Sequence, residues 1–220
     1  MKLIFLAHAS FLLMTNNGTR IIFDPYKSGC FSGSFRYEAI QESANVVLVS
    51  HEHDDHNGVS EVLGNPKVFK DSGHFTYKDI NIDGIASFHD TSKGAARGKN
   101  VMYVIETDSL RIAHLGDLGH SLSESELKQI GKVDMLLIPV GGYFTINSKV
   151  ATDIVNNLKP SITIPMHYKT DAIDFPIVKV DEFLKDKKNV KKINSSEIDI
   201  SKDKLPKTTE IWVLEMLKNE

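Results

Sequence analysis

Ser50-His51-Glu52-His53-Asp54-Asp55-His56 sets three imidazoles around the carboxylate of Asp55 within a few residues. With nine His in 220 residues, a His-x-His-x-Asp-His run arises by chance in roughly one such chain in a thousand. The run follows Val46-Val47-Leu48-Val49, a solid apolar stretch of the kind found in strands buried on both faces. Alternate residues of an extended segment project to one side, so His51 and His53 can grip one ion at Zn–N distances of about 2.0–2.1 Å. Asp55 and His56, beyond the turn, then face a neighbouring position. Four ligands split two and two cannot fill two tetrahedral sites, so further donors must come from other strand ends.

Three such ends are present. His89 closes the apolar run Ala86-Ser87-Phe88, Asp117 follows His114-Leu115-Gly116, and His167 follows Ile164-Pro165-Met166. Loops held by a rigid sheet are where functional residues concentrate. Taken singly, His89 and His167 read equally well as hydrogen-bonded core histidines, and Asp117 as a turn former beside glycines. Asp24 ends another strand in an Asp-Pro turn.

Outward from these points the chain reads as strands with short helices between them. Residues 3–14 and 20–23 flank Thr15-Asn16-Asn17-Gly18, a hairpin signal because Asn and Gly tolerate positive φ. Further strands are expected at 45–50, 67–70, 80–88, 101–106, 110–115, 135–140, 161–165 and 210–214. Ser123-Glu124-Ser125-Glu126 is a capping box ahead of a short helix closed by Gly131. A second helix follows Asn147 with an apolar stripe of Val150, Ile154, Val155 and Leu158 and stops before Pro160. Phe183 and Leu184 belong to a third. This alternation predicts a layered α/β domain with the helices outside.

At 41% hydrophobic and 25% charged residues the chain is neither disordered nor a coiled-coil rod, and one domain over residues 1–220 is expected. Lys and Arg number 26 against 29 Asp and Glu, a net charge of −3, which argues against a nucleic-acid partner bound through its phosphates. Cys30 stands alone, so no internal disulfide is available. Met1 to Ala9 has too short an apolar run for an export signal and is read as a first strand. No run reaches the ~18–20 apolar residues of a membrane span. The cytoplasm is the expected compartment, and oligomeric state stays open.

The order Asp24, then His51-x-His53-x-Asp55-His56, then His89, Asp117 and His167 resembles the five-motif pattern of the metallo-β-lactamase superfamily over about residues 1–170. The wording around Asp117 and His167 is most similar to the metal-dependent hydrolases that resemble L-ascorbate-6-phosphate lactonase and N-acyl-phosphatidylethanolamine phospholipase D. The resemblance implies a four-layer αββα sandwich. It also implies two divalent metal ions, zinc first with manganese or iron as alternatives. His51, His53 and His89 would hold one ion, Asp55, His56 and His167 the other, with Asp117 bridging and Asp24 orienting an imidazole from behind. Leu118 departs from the Thr that many relatives carry after this Asp. The absence of a cysteine from the motif positions argues against an antibiotic-hydrolysing enzyme.

The expected activity is hydrolysis of a small ester, lactone or phosphoester by a metal-bridging hydroxide, which Asp55 would orient as the catalytic carboxylate. A metal-dependent phosphodiesterase or nuclease is the nearest alternative, and a non-catalytic metal-binding protein is another. Lys93, Arg97 and Lys99 form a basic loop after His89 that is either solvated or a receiver for an anionic substrate group. Tyr143 and Tyr168 are candidate oxyanion donors. His8, midway along a strand, and His114 either support the ligands or are buried structural histidines. His74 and His120 have no assigned role.

Overall fold

The structure is a computed structural model that describes residues 1–218. The chain opens with β1 Lys2–Ala7, β2 Ser10–Met14, β3 Arg20–Phe23, β4 Val46–Leu48 and β5 Lys67–Phe69. It continues through β6 Gly73–Tyr77, β7 Ile80–Phe88, β8 Lys99–Thr107, β9 Leu110–His114, α1 Glu124–Ile130 and β10 Met135–Pro139. Then come α2 Ser148–Leu158, β11 Ile162–Met166, α3 Val180–Leu184, β12 Val190–Ile193, β13 Glu197–Asp199 and β14 Glu210–Leu214.

The strands form two mixed sheets, one of six strands in the order β13-β1-β2-β3-β4-β5 and one of eight in the order β12-β14-β11-β10-β9-β8-β7-β6. Period-two alternation decides how the first sheet packs. Leu3, Phe5, Phe11, Leu13, Ile21, Phe23, Val46 and Leu48 turn inward onto the second sheet, while Ile4, Leu6, Leu12, Ile22, Val47 and Val49 turn outward. The continuous apolar runs of β1 and β4 are thus explained: both faces are covered.

Among the described residues the α-helices lie on the second sheet. Ala151, Ile154, Val155 and Leu158 of α2 join its core, and α2 packs against β10 and α3. Over the first sheet the outer layer is built from loop residues, among them Tyr26, Phe35, Tyr37, Ile40, Ile173 and Ile177. The α/β sandwich stands as expected, with one of its outer layers made of loops. Among the described residues no helix is long and apolar enough to cross a membrane.

The capping box forms as written: Ser123 Oγ accepts from Glu126 N, and Ser123 N donates to Glu126 Oε2 at 2.7 Å. Asn147 Oδ1 caps α2 by accepting from Val150 N at 3.0 Å. The strand expected over residues 3–14 is instead two antiparallel strands, with Phe5 opposite Phe11 and Leu3 opposite Leu13. The reversal falls at His8, whose φ of 57° lies in the left-handed region. It carries no Gly, Pro or Asn, and tertiary bonds hold it: His8 O accepts from His167 N at 2.9 Å and Ala9 O from the His114 ring at 2.8 Å. β6, β12 and β13 were not anticipated, because their residues are mostly exposed or half-buried and show no clean alternation.

Tyr103 on β8 pins the two sheets at the end that carries the His-rich run. Its hydroxyl is fully buried and is shared between the carbonyl oxygens of Val49 and Phe69, each at 3.1 Å. Tyr103→Phe removes this donor without changing the packed volume. It is expected to lower stability by about 1 kcal/mol, or about 2–4 °C in melting temperature for a chain of this size. Thermal and urea unfolding check this; an unchanged midpoint would mean that the shared hydroxyl contributes nothing net.

Candidate metal centre

Each residue of the cluster leaves the end of a strand. Asp24 follows β3, His51 follows β4 after Ser50 and Val49, His89 follows β7, Asp117 follows β9 by three residues, and His167 follows β11. The run after β4 closes on itself, with His56 N and Asn57 N both donating to His53 O at 2.9 and 2.8 Å. His8, Asp24 and His167 have φ of 57°, 42° and 51°. A non-glycine residue held there costs about 1–3 kcal/mol, and such strain gathers at functional sites.

Close backbone approaches bring these ends together. Gly116 has φ +54°, and a Cβ there would lie 2.4 Å from Asn100 Oδ1 and 2.5 Å from Ser50 Cβ. Asn100 Oδ1 accepts from Asp117 N at 2.9 Å, fixing the backbone that carries this carboxylate. At Gly119 a Cβ would sit 2.3 Å from the carbonyl carbon of His89.

Six of the seven residues singled out in the sequence gather around the seventh, Asp117. Its Oδ2 lies 3.2 Å from His89 Nε2, 3.2 Å from His167 Nε2 and 3.9 Å from His51 Nε2, and its Oδ1 lies 3.2 Å from His56 Nε2. Two groups flank it, His51 with His53 and His89, and Asp55 with His56, His167 and His8; within each group the potential donor atoms lie within 4.8 Å of one another. All except His53 are buried.

Behind the cluster, Asp24 accepts three hydrogen bonds. Its Oδ2 accepts from His56 Nδ1 at 2.8 Å and from Ser50 Oγ at 2.7 Å, while its Oδ1 accepts from Ser50 N at 2.7 Å. Ser50 Oγ in turn accepts from His51 Nδ1 at 2.9 Å. Both rings therefore donate through Nδ1 and turn Nε2 toward Asp117, which is how a hydrogen-bonded partner orients an imidazole to bind a metal. Asp24 thus hydrogen-bonds the imidazole of His56 from the side away from Asp117. Ser50 was missed, because a serine before a histidine carries no signal of its own.

Burial and the neighbouring His56 push the His51 imidazole down to about 3, so it stays neutral. Burial also works against charge on His56, but Asp117 and Asp55 hold it well above the usual range. For Asp117 burial pushes upward, and His167, His56 and His89 outweigh it, keeping the carboxylate ionised. His51 Nε2, His56 Nε2, His89 Nδ1, His167 Nδ1 and Asp117 Oδ1 are all buried without a hydrogen-bond partner. Buried polar atoms are rarely left so, and several in one place mark a site whose partner is an ion or ligand. Imidazole and carboxylate donors suit divalent zinc, manganese or iron, so the residues fit a metal.

Above the cluster opens a cavity of about 390 Å³, with His53, Asp55, His89, Asp117 and His167 on one side. Phe31, Phe144, Phe175 and Arg97 also line it. Tyr143 and Tyr168, expected as oxyanion donors, are not among its described lining residues; Tyr143 is 64% exposed and Tyr168 is buried in the main core. Lys93 and Lys99 are also absent from it. His8 was misjudged as a mid-strand residue: from its turn, Nε2 lies 3.2 Å from Asp55 Oδ2. His114 is structural, bonded to Ala9 O and to Gly116 N. His120 accepts from Phe88 N and His74 pairs with Asp83 on an exposed hairpin. Burial, with Asp55 and Asp54 nearby, pushes the Cys30 thiol up to about 12.

Residues 2–167 match the family described as the β-lactamase superfamily domain. A UPF0173 protein of Pyrococcus furiosus is 32% identical over 197 residues, covering 77% of this chain and 84% of its own. A UPF0173 metal-dependent hydrolase of Thermococcus onnurineus is 31% identical over 194 residues, covering 77% and 85%. A crystal structure from Thermotoga maritima, assigned to the Zn-dependent hydrolases of the metallo-β-lactamase superfamily, superposes with a TM-score of 0.82 at 32% identity over 98% of this chain and 99% of that one. The chain therefore belongs to the β-lactamase superfamily, in its UPF0173 branch. The fold is the metallo-β-lactamase fold.

Gly119→Ala should push the His89 backbone away from Asp117. Metal bound per chain is expected to fall, while circular dichroism of the metal-free protein stays unchanged. Elemental analysis after dialysis measures this; full occupancy in the variant would mean that the backbone yields without moving His89.

Proposed function

We propose that residues 1–220 act as one domain, a metal-dependent hydrolase that cleaves a small ester, lactone or phosphoester at a centre of two divalent ions, with zinc the first candidate. The observation that carries this reading is the ionised, buried Asp117 carboxylate with imidazole nitrogens at 3.2 Å on both of its oxygens and a donor group on either side. In this reading His51, His53 and His89 hold one ion, Asp55, His56 and His167 the other, and Asp117 lies between them. When bound, the ions would supply a hydroxide near neutral pH and polarise the substrate's carbonyl or phosphoryl oxygen.

The remaining work falls to the chain. Asp55 orients the attacking water through its carboxylate, and His8 holds that carboxylate from below at 3.2 Å. Asp24 and Ser50 keep His56 and His51 in one tautomer. The phenylalanines of the cavity wall limit bulk water around the reacting bond. The relatives' description as metal-dependent hydrolases supports an enzyme over a metal store, and so does the open cavity that reaches the ligands. The net charge of −3 favours a small substrate over a nucleic-acid strand.

Two variants test the reading in parallel under limiting metal. Asp117→Asn removes the negative charge between the two groups and is expected to lose one metal per chain and at least about tenfold to a hundredfold in kcat. Asp24→Asn weakens the hold on His56 and is expected to cost less. Metal stoichiometry and turnover of an ester, lactone and phosphodiester panel are the measurements. Two retained metals and normal turnover in Asp117→Asn would remove the bridging role and the dinuclear mechanism with it.

A further inference from the structure

The cavity has a feature that metal ligation leaves unexplained. Arg97 reaches it from the loop after His89, half-buried, with its guanidinium carbon 5.6 Å from the centre of the Phe144 ring. The guanidinium makes no ion pair and no hydrogen bond to any described residue. Asp174, the other charged residue on the outer wall, does not offset it, because Arg36 engages both of its carboxylate oxygens.

The placement of Arg97 is built in. The buried Asp90 carboxylate accepts four backbone N–H groups of this loop, from Ser92 at 2.6 Å, Gly94 at 2.9 Å, Ala96 at 3.0 Å and Arg97 itself at 2.8 Å. A loop gripped in this way holds its shape before any ligand arrives. The Phe144 ring lies within cation–π range of the guanidinium, whose N–H groups match a carboxylate or phosphate. Lys93 and Lys99, which the sequence groups with Arg97, do not line the cavity.

The opposite character lies beside it. Phe144 and Phe175 are 5.6 Å apart and Phe31 and Phe175 are 5.5 Å apart, ring centre to ring centre, so the three form one aromatic wall. Phe31 is 44% exposed in a left-handed conformation with φ 54°, a costly way to present a large apolar side chain. At about 390 Å³ the cavity falls at the lower end of the range of about 300–1,000 Å³ for small-molecule sites.

We infer that the substrate is a small amphipathic anion, with an apolar acyl or aryl part against Phe31, Phe144 and Phe175 and a carboxylate or phosphate paired with Arg97. This rests on the hydrolase reading for the identity of the scissile bond, but the recognition of the anion stands on Arg97 alone.

Binding separates the two. Calorimetry on metal-loaded protein compares 3-phenylpropionate, 2-phenylethylphosphonate and 3-phenylpropanol, three probes with similar apolar parts and different heads. The wild type is expected to bind at least one anion about tenfold to a hundredfold more tightly than the alcohol, the range for a charge-assisted contact. The anion that gains more distinguishes a carboxylate from a phosphate site. In Arg97→Gln that advantage should vanish while the alcohol's affinity stays within about twofold, and Lys99→Gln should behave as wild type. Three results would overturn the inference: no anion advantage in the wild type, an advantage that survives Arg97→Gln because the metals hold the anion, or an equal loss in Lys99→Gln. Failure of every ester to turn over, with the binding pattern intact, would count against the hydrolase reading and leave the anion site standing.

Discussion

Asp117 carries a negative charge into a position where only 2% of the residue meets solvent, and it does so with imidazoles rather than lysine or arginine around it. A buried carboxylate without compensation would take up a proton. Here burial is outweighed by the surrounding rings, and the carboxylate stays ionised. That balance is local and demanding. It requires His56, His89 and His167, from three separate parts of the chain, to arrive within a few ångströms of one carboxyl group, and the left-handed residues His8, Asp24 and His167 serve that arrival.

The two sheets make it possible because their strand ends meet at one edge. Gly116 lets the segment after β9 close on Ser50 and Asn100, and Gly119 lets it close on His89. The left-handed residues His8, Asp24 and His167 turn the chain just past or between strands, so that side chains leave toward the cluster rather than along the sheet. His8 O accepts from His167 N, which joins the first sheet's opening turn to the last cluster residue of the second sheet. Tyr103 closes the same edge from within the core. A site divided between two sheets can be held to tenths of an ångström only if the sheets themselves are locked in this way.

Legibility followed the strictness of the chemistry. Metal ligation accepts few residue types, so the run His51 to His56 and the strand-ending His89, Asp117 and His167 stood out before any coordinates. Two of the strands that carry them were equally plain: β4 is an unbroken apolar run buried on both faces, and β11 is buried throughout with Thr163 as its one polar residue. The turn at His8 was hidden, since its conformation is imposed by His114 and His167 rather than by a turn-forming residue. β6, β12 and β13 were hidden for the opposite reason: surface strands with little apolar area to bury leave no periodic trace. Ser50 and Asn100 were invisible because their roles lie in what they touch.

The substrate side was the least readable, and the reason is topological. Phe31, Phe144 and Phe175 come from three loops more than a hundred positions apart at the extremes, and nothing in their local sequence distinguishes them from ordinary core phenylalanines. The loop after His89 presented three cations of equal standing, and only its folding around Asp90 separates Arg97 from Lys93 and Lys99. Catalytic ligands must satisfy a metal, whose demands are the same in every chain of this fold. Recognition residues need satisfy only one substrate, through loops that the sheets carry but do not specify. The same scaffold can therefore keep its histidine and aspartate pattern legible while the wall above it changes.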